Sequence, residues 1–482
     1  MELINRNIIT IAITSMLMSN TVSAKDLFVE LESEKKYVNS PSKEKVAEFH
    51  LWLNNYLDGY EQWRDAYIND LDIYRSALIE QWGRGDVSDK NKYVEYSDDN
   101  QVKKVIDYDN NTVTISVLTD EIINEKKIAQ LVPQKIDIDG INVNLSQADK
   151  RIETVNYSFE NERKEKRFVI DQIESQMQQL DIQAERLILA ETGIPPSFIY
   201  QRSHDKKEKL LQSGKKRLLT IVDLYEKKRT ELGIERVENK PKLTTSATNN
   251  KSVITSQSKM KIEILDSTSK KEFNILAKEK SNDKESVIKP KKIVSYNLLL
   301  PANSLQKRAA QYQAIVDKES KRWLIDSALI MAIIHSESSF KSNAKSYIPA
   351  YGLMQVVPTS AGHDVNKYIH KIDAPMEVSD LYVPLVNVET GSAYLNILNN
   401  RYLKAITNEQ SRMYCMIAAY NTGAGNVARA FNKDRSTNIN KAAIVINSMS
   451  SQQVYDHLVK NLPYDETKNY LKKVNNRIAL YK

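Results

Sequence analysis

The sequence predicts a mainly α-helical protein built in several parts. An all-α domain is expected over residues 296–482 and a small α+β module over 46–125. Between them the sequence predicts a helical arm over 150–235 and a disordered linker over 236–295. Three observations carry this. A chain of 482 residues is longer than one ordinary domain. Apolar residues recur at helical spacing through most of it. One stretch, 236–295, is rich in Lys, Ser, Thr and Asn, contains no Gly and sustains no period.

At the start of the chain, Arg6 precedes an apolar run from Ile8 to Met18, followed by the small-residue pattern Val22-Ser23-Ala24. The run is too short to span a bilayer. Residues 1–24 therefore read as a secretory signal peptide, which places the mature protein in the periplasm; an uncleaved anchor is the alternative. No cysteine lies near the cleavage point, so no lipid anchor is expected.

From Phe49 the pattern turns helical, with Trp52, Tyr56, Trp63, Tyr67, Tyr74, Leu78 and Trp82 mostly three, four or seven residues apart. Gly83 and Gly85 end this helix. An aromatic stripe at such spacing packs a core more often than it forms a ligand platform. Three strand-like pieces follow, at 93–96, 103–108 and 112–118. In the last, Val113, Ile115 and Val117 alternate with Thr112, Thr114 and Ser116, and Asp109-Asn110-Asn111 supplies a hairpin turn.

From Arg151 to Glu235 the chain is helical and highly charged, interrupted by Gly193-Ile194-Pro195-Pro196. Two long helices in a hairpin or coiled-coil arm satisfy this pattern, acting as a spacer. Such an arm could also contact other cell-wall or envelope proteins. The linker after it would let the terminal domain search a surface within tether range.

Charge and composition exclude several chemistries. The single cysteine, Cys415, permits no disulfide framework, and six scattered histidines form no metal-binding cluster, so no metal and no cofactor are expected. Net charge is +7, and it lies in the terminal domain: residues 296–482 hold 22 Lys+Arg against 14 Asp+Glu, a net of +8. A basic domain suits an anionic polymer, nucleic acid or a cell wall bearing peptide carboxylates, and is equally compatible with a plain solvated surface.

The chemistry concentrates in that domain. Asp326 or Ser327 caps a helix whose apolar side carries Ile330, Ile333 and Ile334, and Glu337 continues that stripe near the helix end. Desolvation there would raise a carboxyl pKa and keep a proton available, as glycosidic acid catalysis needs. Downstream comes Tyr351-Gly352-Leu353-Met354-Gln355, whose glycine permits close backbone approach. Then Ala418-Ala419-Tyr420-Asn421-Thr422-Gly423-Ala424-Gly425 breaks one helix and opens another. A break of this kind can present backbone N–H groups to a ligand, or simply cap helices.

Glu337-Ser338-Ser339-Phe340, Gly352-Leu353-Met354-Gln355, Ala419-Tyr420-Asn421 and the closing Glu466-Thr467-Lys468-Asn469-Tyr470-Leu471-Lys472-Lys473-Val474 together resemble the lysozyme-like catalytic domain of lytic murein transglycosylases. Gln81-Trp82-Gly83 and Tyr93-Val94-Glu95-Tyr96-Ser97-Asp98-Asp99 are similar to the N-terminal domain of the membrane-bound murein transglycosylase C branch. The resemblance covers about 46–125 and 296–482, not the middle.

It implies a lyase acting on peptidoglycan glycan strands, not on nucleic acid. Glu337 would be the single acid and then base, and Ser346 would hydrogen-bond the muramic N-acetyl group. Met354, Gln355, Tyr420, Asn421 and Tyr470 would line the groove. Departures are the missing lipobox cysteine, and Val357 where some members have Met.

A goose-type lysozyme of the same fold is the nearest rival; a catalytically idle glycan-binding scaffold is a more distant one. Between Ser338 and His363 the chain has no Asp or Glu, and Ser346 and Val357 stand where goose-type enzymes carry aspartates. A water-using glycosidase ordinarily needs a second carboxylate, which a substrate-assisted one does not. Asp364 or Asp373 could still fold back into the groove.

Overall fold

A computed structural model describes residues 43–119, 128, 131–132, 135–138, 141–189, 194–233 and 291–482. The expected signal peptide and most of the expected linker lie outside these. The described residues form two compact units, one from within 1–63 and 186–202, the other from within 64–185 and 203–482. In the first, Arg202 donates to Asp58 (2.6 Å) and Glu61 (2.9 Å).

Helix α1 runs Lys43–Trp82 and is followed by strands β1 (Lys92–Tyr96), β2 (Val102–Asp107) and β3 (Thr112–Thr119). These antiparallel strands match the predicted ones within a residue. Strands β4 (Lys135–Ile138) and β5 (Ile141–Asn144) pair as a separate ribbon, and β6 is Asp149–Thr154. Two long helices, α2 (Phe159–Leu189) and α3 (Pro196–Glu231), come next. Strand β7 then covers Lys292–Leu299.

The main sheet has the order β1-β2-β3-β7-β6. Here two expectations are corrected. Residues 292–295 are strand and not linker, and β7 pairs with β3 on one side (Val117 opposite Val294) and β6 on the other (Ile152 opposite Val294). The α+β module therefore does not close at residue 125. Its sheet is completed by the eight residues that lead into the terminal domain. Alternation fits the period: Val113, Ile115 and Val117 are at most 2% exposed on one face, with Ile106 and Val294.

The second correction concerns the helical arm. Val169, Ile170, Ile173 and Met177 of α2 pack with Leu218, Ile221 and Tyr225 of α3 and with Leu78, Ile79 and Trp82 of α1, against Leu118 and Ile293 of the sheet. The pair is a layer of the fold, not a spacer. For α1, the core reading of the stripe holds at Leu78 and Trp82, while Tyr74 stays 44% exposed. The side chains of Phe49, Trp52 and Tyr56 are outside the described set.

Residues 304–482 form the expected all-α domain: α4 (Ser304–Ala310), α5 (Gln313–Trp323), α6 (Ser327–Ser338), α7 (Pro384–Ile397), α8 (Glu409–Thr422), α9 (Ala424–Phe431), α10 (Ile439–Asn447), α11 (Ser451–Asn461) and α12 (Asp465–Ile478), with short helical turns at 358–370 and 378–381. Helix α6 is its centre. Every residue from Ala328 to Ser338 is buried, so the helix is wrapped on all sides and not merely on one. No described helix is long and apolar enough to cross a membrane.

Candidate active site

Glu337 sits on the last turn of α6, 5% exposed, at the floor of a cavity of about 580 Å³. Asp326 caps the helix start by accepting from the Ala328 N–H (2.8 Å). The other end is sharply bent: Ser339 (φ 50°) and Phe340 (φ 68°) both take left-handed backbone without being glycine. Such conformations cost roughly 1–2 kcal/mol each. They are held by neighbours. Arg308 donates to the Ser339 carbonyl (3.2 Å), and the Ser339 hydroxyl donates to Asp109 of the β2–β3 turn (2.8 Å). Lys473 (2.7 Å) and Arg477 (3.3 Å) of α12 close on the same Asp109.

The Gly-Leu-Met-Gln segment is the next wall. Gly352 has φ 76°, and a Cβ there would stand 2.3 Å from the Asn387 amide and from the Leu381 carbonyl, so only glycine fits. Asn387 of α7 is the organiser: it donates to the Tyr351 and Leu381 carbonyls (2.8 Å each) and accepts from the Met354 N–H (2.8 Å). Gln355 lines the cavity, with its amide donating to Ala344 (3.1 Å) and Gly352 (2.9 Å) carbonyls. Ser346 also lines it; its hydroxyl is bonded to the Ile348 carbonyl and accepts from the Ala350 N–H (3.0 Å).

Tyr420, at the end of α8, donates to the Met354 carbonyl (2.8 Å) and faces Glu337. Burial first, then the Glu337 charge, holds its phenol well above the usual tyrosine range. Tyr470 of α12 has the same causes and the same direction. Both are thus protonated donors beside Glu337. Asn421 lines the cavity and accepts from Thr467 of α12 (2.7 Å).

Two expectations are revised by these placements. Met354 is fully buried and packs against Gly391, so only its backbone serves the site. Tyr470 is 4% exposed and stands behind the cavity wall against Glu337. The Gly-rich break is also reassigned. The Gly425 N–H at the start of α9 is bonded by the Glu185 carboxylate of α2, not left for a ligand, and a Cβ on Gly425 would meet that carboxylate at 2.9 Å. Burial pushes Glu185 up to about 7, against the opposing pull of the Gly425 bond and of Arg429.

Sequence reasoning missed the wall opposite. Arg167, Asp171, Glu174, Ser175, Gln178 and Ile182 of α2 line the cavity. The helix is fixed there by Asp181, which pairs with Arg429 (2.9 Å) and accepts from Tyr464 (2.8 Å), and by Phe168, whose ring meets Tyr347 at 4.7 Å. It also missed Lys90, whose ammonium lies 3.4 Å from Glu337 Oε2 and 3.8 Å from Glu466 Oε1. No local pattern could have paired residues 247 apart. The two carboxylates left open are accounted for: Asp364 is buried and bonded by Tyr402 (3.0 Å), and Asp373 pairs with His363 and Lys367. Among the described residues no cluster could hold a metal ion.

Comparison with known proteins agrees with this geometry. Residues 314–443 match the family described as "Transglycosylase SLT domain". Membrane-bound lytic murein transglycosylase C of Sodalis glossinidius is 45% identical over 186 residues, 39% of this chain and 51% of that protein. That of Cronobacter sakazakii is 43% identical over 190 residues, again 39% and 51%. The chain thus spans about half the length of these relatives. Among solved structures, lytic transglycosylase Slt of Pseudomonas aeruginosa is 27% identical, covering 35% of this chain and 24% of that one at a TM-score of 0.27. Residues 314–443 are thus similar to the transglycosylase SLT domain, and over 186 residues the chain is similar to membrane-bound lytic murein transglycosylase C.

Proposed function

We propose that the protein is a peptidoglycan lytic transglycosylase that cuts the β-1,4 bond from N-acetylmuramic acid to N-acetylglucosamine. The observation that carries the reading is one nearly buried carboxyl, Glu337, at the cavity floor between two protonated tyrosines. Glu337 gives its proton to the leaving glycosidic oxygen as the C1–O bond breaks. The substrate's own N-acetyl carbonyl supports the cationic centre, oriented by Ser346. Glu337, now ionised, takes the proton of the C6 hydroxyl as that oxygen bonds to C1, closing a 1,6-anhydro ring. One group serves both steps, and no cofactor is needed. The leader pattern at 1–24 supports a periplasmic location.

A hydrolytic reading draws on one observation: Glu466 lines the cavity and shares Lys90 with Glu337, where a second carboxylate could activate water. Mass spectrometry of murein digested by the purified protein decides. The lyase releases muramic ends one water lighter than reducing ends; dominant reducing ends would establish the hydrolase, and an absence of products a binding scaffold.

A further inference from the structure

We propose that Lys90 is a positioning residue of this active site, supplied by the strand module: it holds the Glu337 carboxylate in place for both proton steps. This rests on the reading of Glu337 as the catalytic acid.

The placement of Lys90 is built, not incidental. It occupies a tight turn before β1, in which the Asp89 N–H donates to the Lys92 carbonyl (3.0 Å) and the Asn91 and Lys92 N–H groups donate to Asp89 Oδ1 (2.7 and 2.6 Å). The turn is fastened to the segment that follows Glu337. Lys341, itself buried, donates to the carbonyls of Asp89 (3.3 Å) and Lys92 (3.2 Å). Asn91 donates to Asp109 (3.1 Å), the same carboxylate that holds Ser339, Lys473 and Arg477. The ammonium is therefore located relative to α6 by fixed bonds on both sides, and its tip lies in the cavity wall.

The charges around it are few. Lys90 faces Glu337 on α6, Glu466 on α12, the Tyr347 phenol and the like charge of Lys473. Burial works against the charge on the amine, but Glu337 and then Glu466 outweigh it and keep it charged. On its other sides Glu337 faces Tyr420 and Tyr470, both neutral. Lys90 is thus the cation in contact with the catalytic carboxylate. A fixed cation favours the ionised form of its partner. It helps the second half of the reaction, in which the carboxylate accepts a proton, and opposes the first, in which the carboxyl must donate one.

The test uses the full chain on isolated murein, with turnover followed by turbidity from pH 4 to 9. In Lys90→Met the limb on which activity falls with rising pH should move up by about one unit. Lys90→Arg should restore the wild-type profile. Lys341→Met, which frees the turn but leaves Lys90 in place, should move the limb the same way by a smaller amount. A Lys90→Met profile that superimposes on wild type, or a Lys90→Arg profile displaced as far as Lys90→Met, overturns the proposal. Wild type releasing anhydro ends while the variants fail to shift sinks only Lys90; wild type releasing none sinks the underlying reading.

Discussion

Two helix ends meet at the cavity, and each receives a carboxylate from the N-terminal half of the chain, in opposite ways. The end of α6 carries Glu337 and is bent through two strained non-glycine residues, with Asp109, Arg308 and Lys90 gathered around it. The break between α8 and α9 uses glycines, and there the carboxylate comes from outside, as Glu185 of α2. One end spends conformational strain to aim a side chain; the other gives up side chains so that a neighbour can approach. The two also titrate oppositely. His335, on the last turn of α6, is held down to about 3 by burial and then by Arg477. The unfolded chain takes up that proton near the ordinary 6.5 and the folded one does not, so stability falls as pH drops from about 6.5 toward 3. Glu185 keeps its proton up to about 7, so its contribution falls as pH rises from 4.5 to about 7.

The comparison can be broken first at α6. Glu337→Gln should lower turnover on murein by at least about 10²–10⁴-fold with the circular dichroism spectrum unchanged; substantial residual turnover in the folded variant would falsify its assignment. Gly352→Ala, forced into left-handed backbone and against Leu381 and Asn387, should cost about 2–4 kcal/mol in denaturant unfolding. At the second end, Glu185→Gln keeps an acceptor for the Gly425 N–H and removes the charge. It should raise stability by on the order of 2 kcal/mol at pH 8 and leave it near wild type at pH 4. A Tm gain that is the same at both pH values would show that burial of charge is not the cause. Asp109→Asn should cost about 1 kcal/mol, mostly lost again in high salt. Smallest of all, Glu466→Gln should leave turnover within a few-fold of wild type and the products anhydro; a collapse there would revive the hydrolase.

What the sequence made legible was local. The cap at Asp326, the alternation of Val113, Ile115 and Val117, and the glycine at 352 each follow from a few neighbouring residues. So did the order of Glu337, Gln355 and Tyr420, which the fold brings around one cavity. What stayed hidden was every partner supplied from a distance. Asn387, Asp109, Lys90 and Glu185 are ordinary polar residues in their own segments, and their roles exist only once the helices have packed. Strand β7 was obscured differently: its alternation is short and follows a long lysine-rich stretch, and its partners lie well over a hundred residues upstream. The charged periodicity of α2 and α3 suggested a solvated arm because paired charges inside a fold, such as Arg229 with Glu162 (2.8 Å), carry the same pattern as solvated ones.

The position of β7 has a consequence for how the protein comes into being. While the chain is being made, β3 and β6 are complete long before residue 292 exists, and each must wait with an unpaired edge. Open edges of this kind invite pairing with other chains. Only when Lys292–Leu299 slots between them is the sheet whole, and the chain then runs directly into α4 of the all-α domain. A half-made copy of this protein thus holds neither a finished sheet nor a complete cavity wall.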